Sequence, residues 1–193
     1  MTFAPKKYFG QHFLKDSQTA NRIVSFLNID KCDKIIEIGP GKGALTQFLT
    51  SVTAYIKVIE IDSEAVDLLK NQFSDIEIIH ADFLKLDLNS IPWKKYSIIG
   101  NFPYNISTQI LFKILEHRDS IQEVVGMFQK EVAERICSEK KSKKYGIPSV
   151  LIQALIAFIA AAIAFFSGLW LKAKLFLRKL VGFLKFSRKN REK

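Results

Sequence analysis

Residues 34–51 read KIIEIGPGKGALTQFLTS, and the order of their parts decides the fold. A β-rich apolar run from Lys34 is followed by Gly39, Gly41 and Gly43 at alternating positions, and then by the helical pattern GALTQFLTS. Glycines between a strand and a helix permit a tight turn and let a ligand approach both the backbone and the helix N-terminus. The pattern by itself does not name the ligand. Gly39, Gly41 and Ala44 also satisfy a loose dinucleotide fingerprint, with Glu60 about twenty residues on as a ribose holder.

Working outward, the same strand–helix alternation continues. Strands are expected at KIIEI from Lys34, YIKVIE from Tyr55, IEIIHA from Ile76, YSIIG from Tyr96 and EVVGMF from Glu123. Helical patterns lie between them at SEAVDLLKNQF, STQILFKILEH and KEVAERICSE, and SQTANRIVSFL precedes the first strand. Such alternation predicts parallel βαβ units with both sheet faces covered, a doubly wound α/β domain. Ligands of these sheets bind beyond the carboxyl ends of the strands, so the strand ends are where chemistry is to be sought.

The chain has 193 residues and is 48% hydrophobic, enough for one core of ordinary size and too apolar for a disordered protein. Cys32 and Cys137 are far apart and lack a His or Cys at ligand spacing, which argues against a disulfide framework or a metal site. A reducing cytoplasm fits, and no signal-peptide pattern opens the chain. The net charge of +10 is unevenly spread: Lys and Arg number 16 against 17 acids up to Ile136, and 13 against 2 from Cys137 onward. The basic end suits a polyanion, either RNA or an anionic membrane surface.

At the strand ends, Glu37, Glu60, Asp62 and Asp82 are expected to form an acidic rim around the glycine turn. Such a rim repels a pyrophosphate and attracts S-adenosylmethionine, which carries a sulfonium and an ammonium. Glu60 would take the ribose hydroxyls in a bidentate hydrogen bond, and Asp82 the adenine amine. The fourth strand ends in NFPY, residues 101–104. An exocyclic amine on a nucleobase is a poor nucleophile because its lone pair is delocalised into the ring. Two acceptors, the Asn101 side-chain oxygen and a backbone carbonyl around Pro103, would draw that nitrogen toward a pyramidal geometry. Pro103 stiffens the turn, and Tyr104 offers a π-face to an extruded base. Phe102 is accounted for by core packing alone.

Taken together, FGQHFL, EIGPGKGALT, VIEID, HADFL, GNFPYNIST, QKEVAERI and KYGIPSVLIQA occur in an order that resembles the small-subunit ribosomal RNA adenine dimethyltransferases, relatives of the macrolide-resistance rRNA methyltransferases. The resemblance covers residues 6–154 and implies a Rossmann-like class I S-adenosylmethionine-dependent methyltransferase domain. It further implies cofactor contacts from His12, Leu14, Gly39, Glu60, Asp82 and Asn101, to which the glycine turn itself adds Gly41. The implied reaction is dimethylation of two adjacent adenosines near the end of small-subunit rRNA, by a monomer acting on the rRNA or the pre-ribosomal subunit. Lys130, Arg135 and KKSKK are candidates for phosphate contacts, although a charge run is commonly just a solvated face.

Beyond Ala154 the family pattern stops, and residues 155–193 read as an atypical apolar and basic tail. The antiparallel strand pair, its proline-rich loop and the helical RNA-binding domain that would continue the pattern are expected to be missing, and no proline follows Pro148. Residues 145–171 carry no charge, a length that would cross a bilayer as a helix. Three readings stand: a membrane-associated segment within residues 150–186, a substituted structural tail, or a frameshift or design product without an evolved role. The structural tail would be a buried helix over 150–166 followed by a strand with the period-two pattern of 169–178. Two further functions compete with a methyltransferase: a catalytically impaired cofactor- or RNA-binding core with a membrane-associating tail, and, more remotely, a nicotinamide oxidoreductase.

Overall fold

A computed structural model describes residues 14–136 and 160–163. Six strands form one sheet in the order β3-β2-β1-β4-β5-β6. They are β1 (Lys34–Ile38), β2 (Tyr55–Glu60), β3 (Glu77–His80), β4 (Tyr96–Asn101), β5 (Ile121–Met127) and β6 (Ala160–Ile163). Every neighbouring pair is parallel. The helices are α1 (Ser17–Val24), α2 (Thr46–Leu49), α3 (Ser63–Gln72), α4 (Ser107–Glu116) and α5 (Lys130–Ile136).

Alternate residues of each central strand feed opposite layers, as the pleat requires. Ile35, Val58, Ile99 and Val125 join α1, Leu45, Leu49 and Leu69 on one face. Ile36, Ile59, Ile98 and Val124 join Phe83, Ile110, Ile114 and Ala133 on the other. Because both faces are covered, β1, β2 and β4 are apolar almost throughout. Among the buried polar exceptions Glu37, Lys57, Glu60 and Ser97, Lys57 lies mid-strand in β2, where its ammonium meets the Glu77 carboxylate on β3 and lies 4.8 Å from the Trp93 ring centroid. Asp16 and Asp62 cap α1 and α3, each accepting a backbone N–H two residues on, at 3.1 Å in both cases.

Three of the expected elements shift. The helix expected from Gly43 to Ser51 is a single turn, Thr46–Leu49, because Gly43 has φ +78° and cannot begin it. β3 starts one residue later than expected, at Glu77, and β5 two residues earlier, at Ile121.

The largest correction concerns the uncharged run. Ala160–Ile163 is a strand paired in parallel with residues 123–126 of β5, so neither a bilayer-crossing helix through that run nor a buried helix over 150–166 is formed. The physical reason is that the outer edge of β5 carries backbone donors and acceptors that need partners, and an extended segment supplies them where a helix does not. Among the described residues no helix is long and apolar enough to cross a membrane. The strand pattern of residues 169–178, the KKSKK run and His12 lie outside the described residues.

Candidate active site

The sheet reverses its winding between β1 and β4, and a cleft opens there beyond the strand carboxyl ends, as expected for an open α/β sheet. Its volume is about 230 Å³, and its walls include Leu14, Gly39, Gly41, Glu60, Ile61, Asp82, Asn101, Pro103 and Tyr104. Leu14, Gly39, Gly41, Glu60, Asp82, Asn101, Pro103 and Tyr104, chosen from the sequence, therefore all border this one cleft, while His12 lies outside the described residues. Two elements that are neighbours only through the sheet, the glycine turn after β1 and the NFPY turn after β4, face the same space.

The glycine turn is fixed from below. Gly39, Gly41 and Gly43 have φ of 65°, 57° and 78°, the left-handed region that L side chains rarely adopt. Gly39 donates its N–H to the Ile59 carbonyl at 2.9 Å, which ties the turn to β2. A methyl group on Gly39 would meet nothing within 4 Å, so open space lies in front of this backbone. One on Gly43 would lie 2.7 Å from the Phe73 ring, so Gly43 also permits close packing against the end of α3.

Four carboxyl groups were expected to act as a charged rim, and the structure divides their duties. Glu37 is 1% exposed and accepts a hydrogen bond from the Thr46 hydroxyl at 2.7 Å. Burial, with repulsion from Glu60 as a lesser cause, pushes its pKa up to about 8, so it is mainly protonated at neutral pH. Asp62 is buried and caps α3. Glu37 thus drops out of the charged rim, a correction that follows from the cost of burying charge, while Asp62 is engaged in capping α3 and Glu60 and Asp82 border the cleft.

Glu60 accepts three backbone N–H bonds: from Gly41 at 3.0 Å on Oε2, and from Ile61 at 2.8 Å and Asp62 at 2.9 Å on Oε1. Burial raises its pKa while these donors oppose the rise. With roughly four lone-pair sites on a carboxylate, one site on Oε2 is left for a ligand. A clamp by both oxygens therefore requires a backbone bond to yield. Asp82 Oδ1 accepts from Leu84 N at 2.9 Å, and its carbonyl closes the same turn onto Lys85 and Leu86. Lys113 of α4 secures that turn, donating to the Leu84 carbonyl at 2.9 Å and to the Leu86 carbonyl.

In the NFPY turn, Phe102 is buried, and its N–H donates to the Met127 carbonyl at 3.2 Å. The Pro103 carbonyl accepts from Ile106 N at 3.3 Å, which leads the chain into α4. Sequence reading missed Thr46, Ile61 and Lys113. Ile61, 41% exposed beside the cleft, was legible as the apolar residue directly after the strand-end acid. Lys113 gave no such signal, since its partners lie far away in sequence.

This arrangement can receive a ligand that combines ribose hydroxyls, an apolar-flanked ring and positive charge, with a second planar group presented at residues 101–104. Fold and cleft together define a Rossmann-like class I S-adenosylmethionine-dependent methyltransferase domain. A family model described as ribosomal RNA adenine dimethylase matches residues 2–162, and the chain belongs to that family.

Two proteins called ribosomal RNA small subunit methyltransferase A are similar to it. That of Cytophaga hutchinsonii is 54% identical over 77% of this chain and 59% of its own length. That of Flavobacterium johnsoniae is 53% identical over 77% of this chain and 58% of its own. The chain thus spans less than two thirds of the length of these curated relatives. Among solved structures, a dimethyladenosine transferase from Plasmodium falciparum superposes with a TM-score of 0.65 at 28% identity, over 74% of this chain and 52% of that one. The 23S rRNA methyltransferase ErmE gives 0.62 at 28%, over 76% and 57%.

Proposed function

We propose that the chain is an RNA adenine-N6 methyltransferase that moves methyl groups from S-adenosylmethionine to exocyclic amines of adenosines in small-subunit rRNA. The observation that carries this reading is that the glycine turn, Glu60, Asp82 and residues 101–104 border one cleft. S-adenosylmethionine supplies a methyl group activated by a sulfonium. Open backbone at Gly39, with Gly41 beside it in the turn, would receive its polar end, Glu60 Oε2 a ribose hydroxyl, Asp82 the adenine amine, and Leu14 and Ile61 its apolar flank. His12 is proposed to join them.

On the substrate side, Asn101 Oδ1 and a backbone carbonyl of the NFPY turn accept the two amine hydrogens and aim the nitrogen lone pair, while Tyr104 stacks on the base. So held, the amine nitrogen would be aligned to accept the methyl group that the sulfonium supplies, and its proton would pass to solvent. Deprotonation needs no strong general base, because the alkylated amine is acidic.

Residues 1–154 are read as the methyltransferase domain, with Ala160–Ile163 an addition to its sheet from the segment 155–193. An rRNA substrate puts the work where ribosomes assemble, in the cytoplasm, and the protein is read as a monomer there. Lys130, Arg135 and the basic end with its KKSKK run would serve rRNA phosphates; contact of the basic end with an anionic membrane is the competing use.

Calorimetry and radiolabelled methyl transfer to undermethylated small ribosomal subunits test the reading. Glu60→Ala and Asp82→Ala are each expected to weaken cofactor binding about tenfold or more, the scale of a lost hydrogen bond to a charged group. Asn101→Ala should spare cofactor binding and lower turnover by about 10²-fold or more. No cofactor uptake by the intact chain, or full turnover by the Asn101 variant, overturns the assignment.

A further inference from the structure

We propose that Phe102, seated over the glycine pair Gly100 and Gly126, is the positioning residue that aims the Asn101 amide and the Pro103 turn at the target base. The inference rests on the reading of residues 101–104 given above. It begins from two glycines in sheet interiors. Gly100 on β4 and Gly126 on β5 are register partners. Neither is among the glycines with positive φ, so backbone conformation does not call for them. A glycine in mid-strand costs roughly 0.5–1 kcal/mol relative to alanine and often marks a close approach.

One ring approaches both glycines closely, beside a strand carbonyl at each: a methyl on Gly100 would also lie 2.8 Å from the Ile38 carbonyl oxygen. A methyl group on Gly126 would lie 2.2 Å from Phe102 Cε2 and 2.8 Å from Cδ2. One on Gly100 would lie 2.9 Å from Cε1 and 3.2 Å from Cδ1. Opposite edges of the Phe102 ring therefore rest on the two glycines, and the ring spans two strands. Phe128 covers it, with centroids 4.8 Å apart and planes tilted by 40°, and the Phe102 N–H is tied to Met127. A ring so seated sits between Asn101 and Pro103 in the chain, so it cannot shift without moving the acceptor on either side. An ordinary core phenylalanine needs a pocket; this one is let into the sheet.

The test is a double-mutant cycle of Gly126→Ala, Phe102→Leu and the pair together. The new methyl would also lie 2.8 Å from the Gly100 carbonyl oxygen, in the single and the double variant alike, so that contact cancels in the cycle. Three quantities are read: single-turnover methyl transfer to undermethylated small subunits, cofactor affinity by calorimetry, and the Asn101 side-chain amide resonances of the isotopically labelled protein. Gly126→Ala is expected to slow transfer by about 10²-fold, the scale of a 1 Å misplacement, with cofactor affinity held within about twofold. Its Asn101 resonances should move. In the double variant, where the shorter leucine leaves room, transfer should recover about tenfold over Gly126→Ala and the resonances should return toward their original positions.

Rates in the double variant equal to the product of the singles, unmoved Asn101 resonances, or cofactor affinity falling in step with rate would each overturn the inference. If Gly126→Ala does not fold, Phe102→Leu alone decides through the Asn101 resonances, which must shift at unchanged cofactor affinity. Failure of the wild-type chain to methylate subunits strikes the function reading instead, and the amide resonances still judge the positioning.

Discussion

Glu37 is sealed from solvent with the Thr46 hydroxyl as its hydrogen-bond donor, and its carboxyl is held well above the usual carboxylate range. A carboxyl whose folded pKa is raised binds more protons folded than unfolded, so its contribution is fully present below the unfolded value and is lost as pH rises through the folded one. The window runs from 4.5 to about 8, and the slope approaches about 1.4 kcal/mol of stability lost per pH unit. Glu37→Gln keeps a neutral acceptor for Thr46 and removes the titration. Denaturant unfolding at pH 5 and pH 8 should show a marked loss for the original protein and a much smaller one for the variant; parallel behaviour would show that Glu37 is not buried as an acid. Glu60, raised in the same direction, leaves a residual slope in both.

At this scale the sequence disclosed which carboxyl groups stand at strand ends but not which of them keep a charge. Charge state depends on burial and on donors such as Thr46 and Gly41, which only the folded turn brings within reach. Gly126 was illegible for the same reason, since its neighbour Phe102 comes from the turn after β4.

Among the elements, β1, β2 and β4 were legible because strands covered on both faces become apolar runs bounded by turns. β6 was not, because AAAI inside a long uncharged stretch suits a helix as well as a strand, and periodicity alone cannot separate them. What selects the strand is the open edge of β5, a tertiary demand. Ending the chain at Ala154 removes β6, and β5 becomes an edge strand. Amide exchange in residues 121–127 should then accelerate about tenfold or more, while β1 and β2, which keep both neighbours, retain their protection. Unchanged exchange in β5 would mean that β6 adds no protection to it.

Across the whole molecule, charge and chemistry are separated along the chain. Up to Ile136 acids and bases nearly balance, and the cleft residues lie within that part; the 13 Lys and Arg beyond it face only 2 acids. On the proposed function, a nearly neutral sheet domain that bears the cleft and a strongly basic end suit a division of labour in which the longer first part selects an adenosine and the end supplies affinity for phosphate. Binding that releases counterions weakens with salt in proportion to the number of phosphates neutralised. The cofactor contacts involve few net charges by comparison. Small-subunit rRNA affinity of the intact chain should therefore fall by about 10³-fold or more between 50 and 200 mM salt. A version ending at Ile163, which keeps β6 and loses the basic residues that follow it, should bind more weakly at low salt and show a shallower slope, at unchanged cofactor affinity. Equal slopes for the two chains would assign the phosphate contacts to residues up to Ile163, KKSKK included. Loss of flotation with anionic liposomes on the same truncation, without any change in RNA slope, would turn the basic end toward a membrane surface instead.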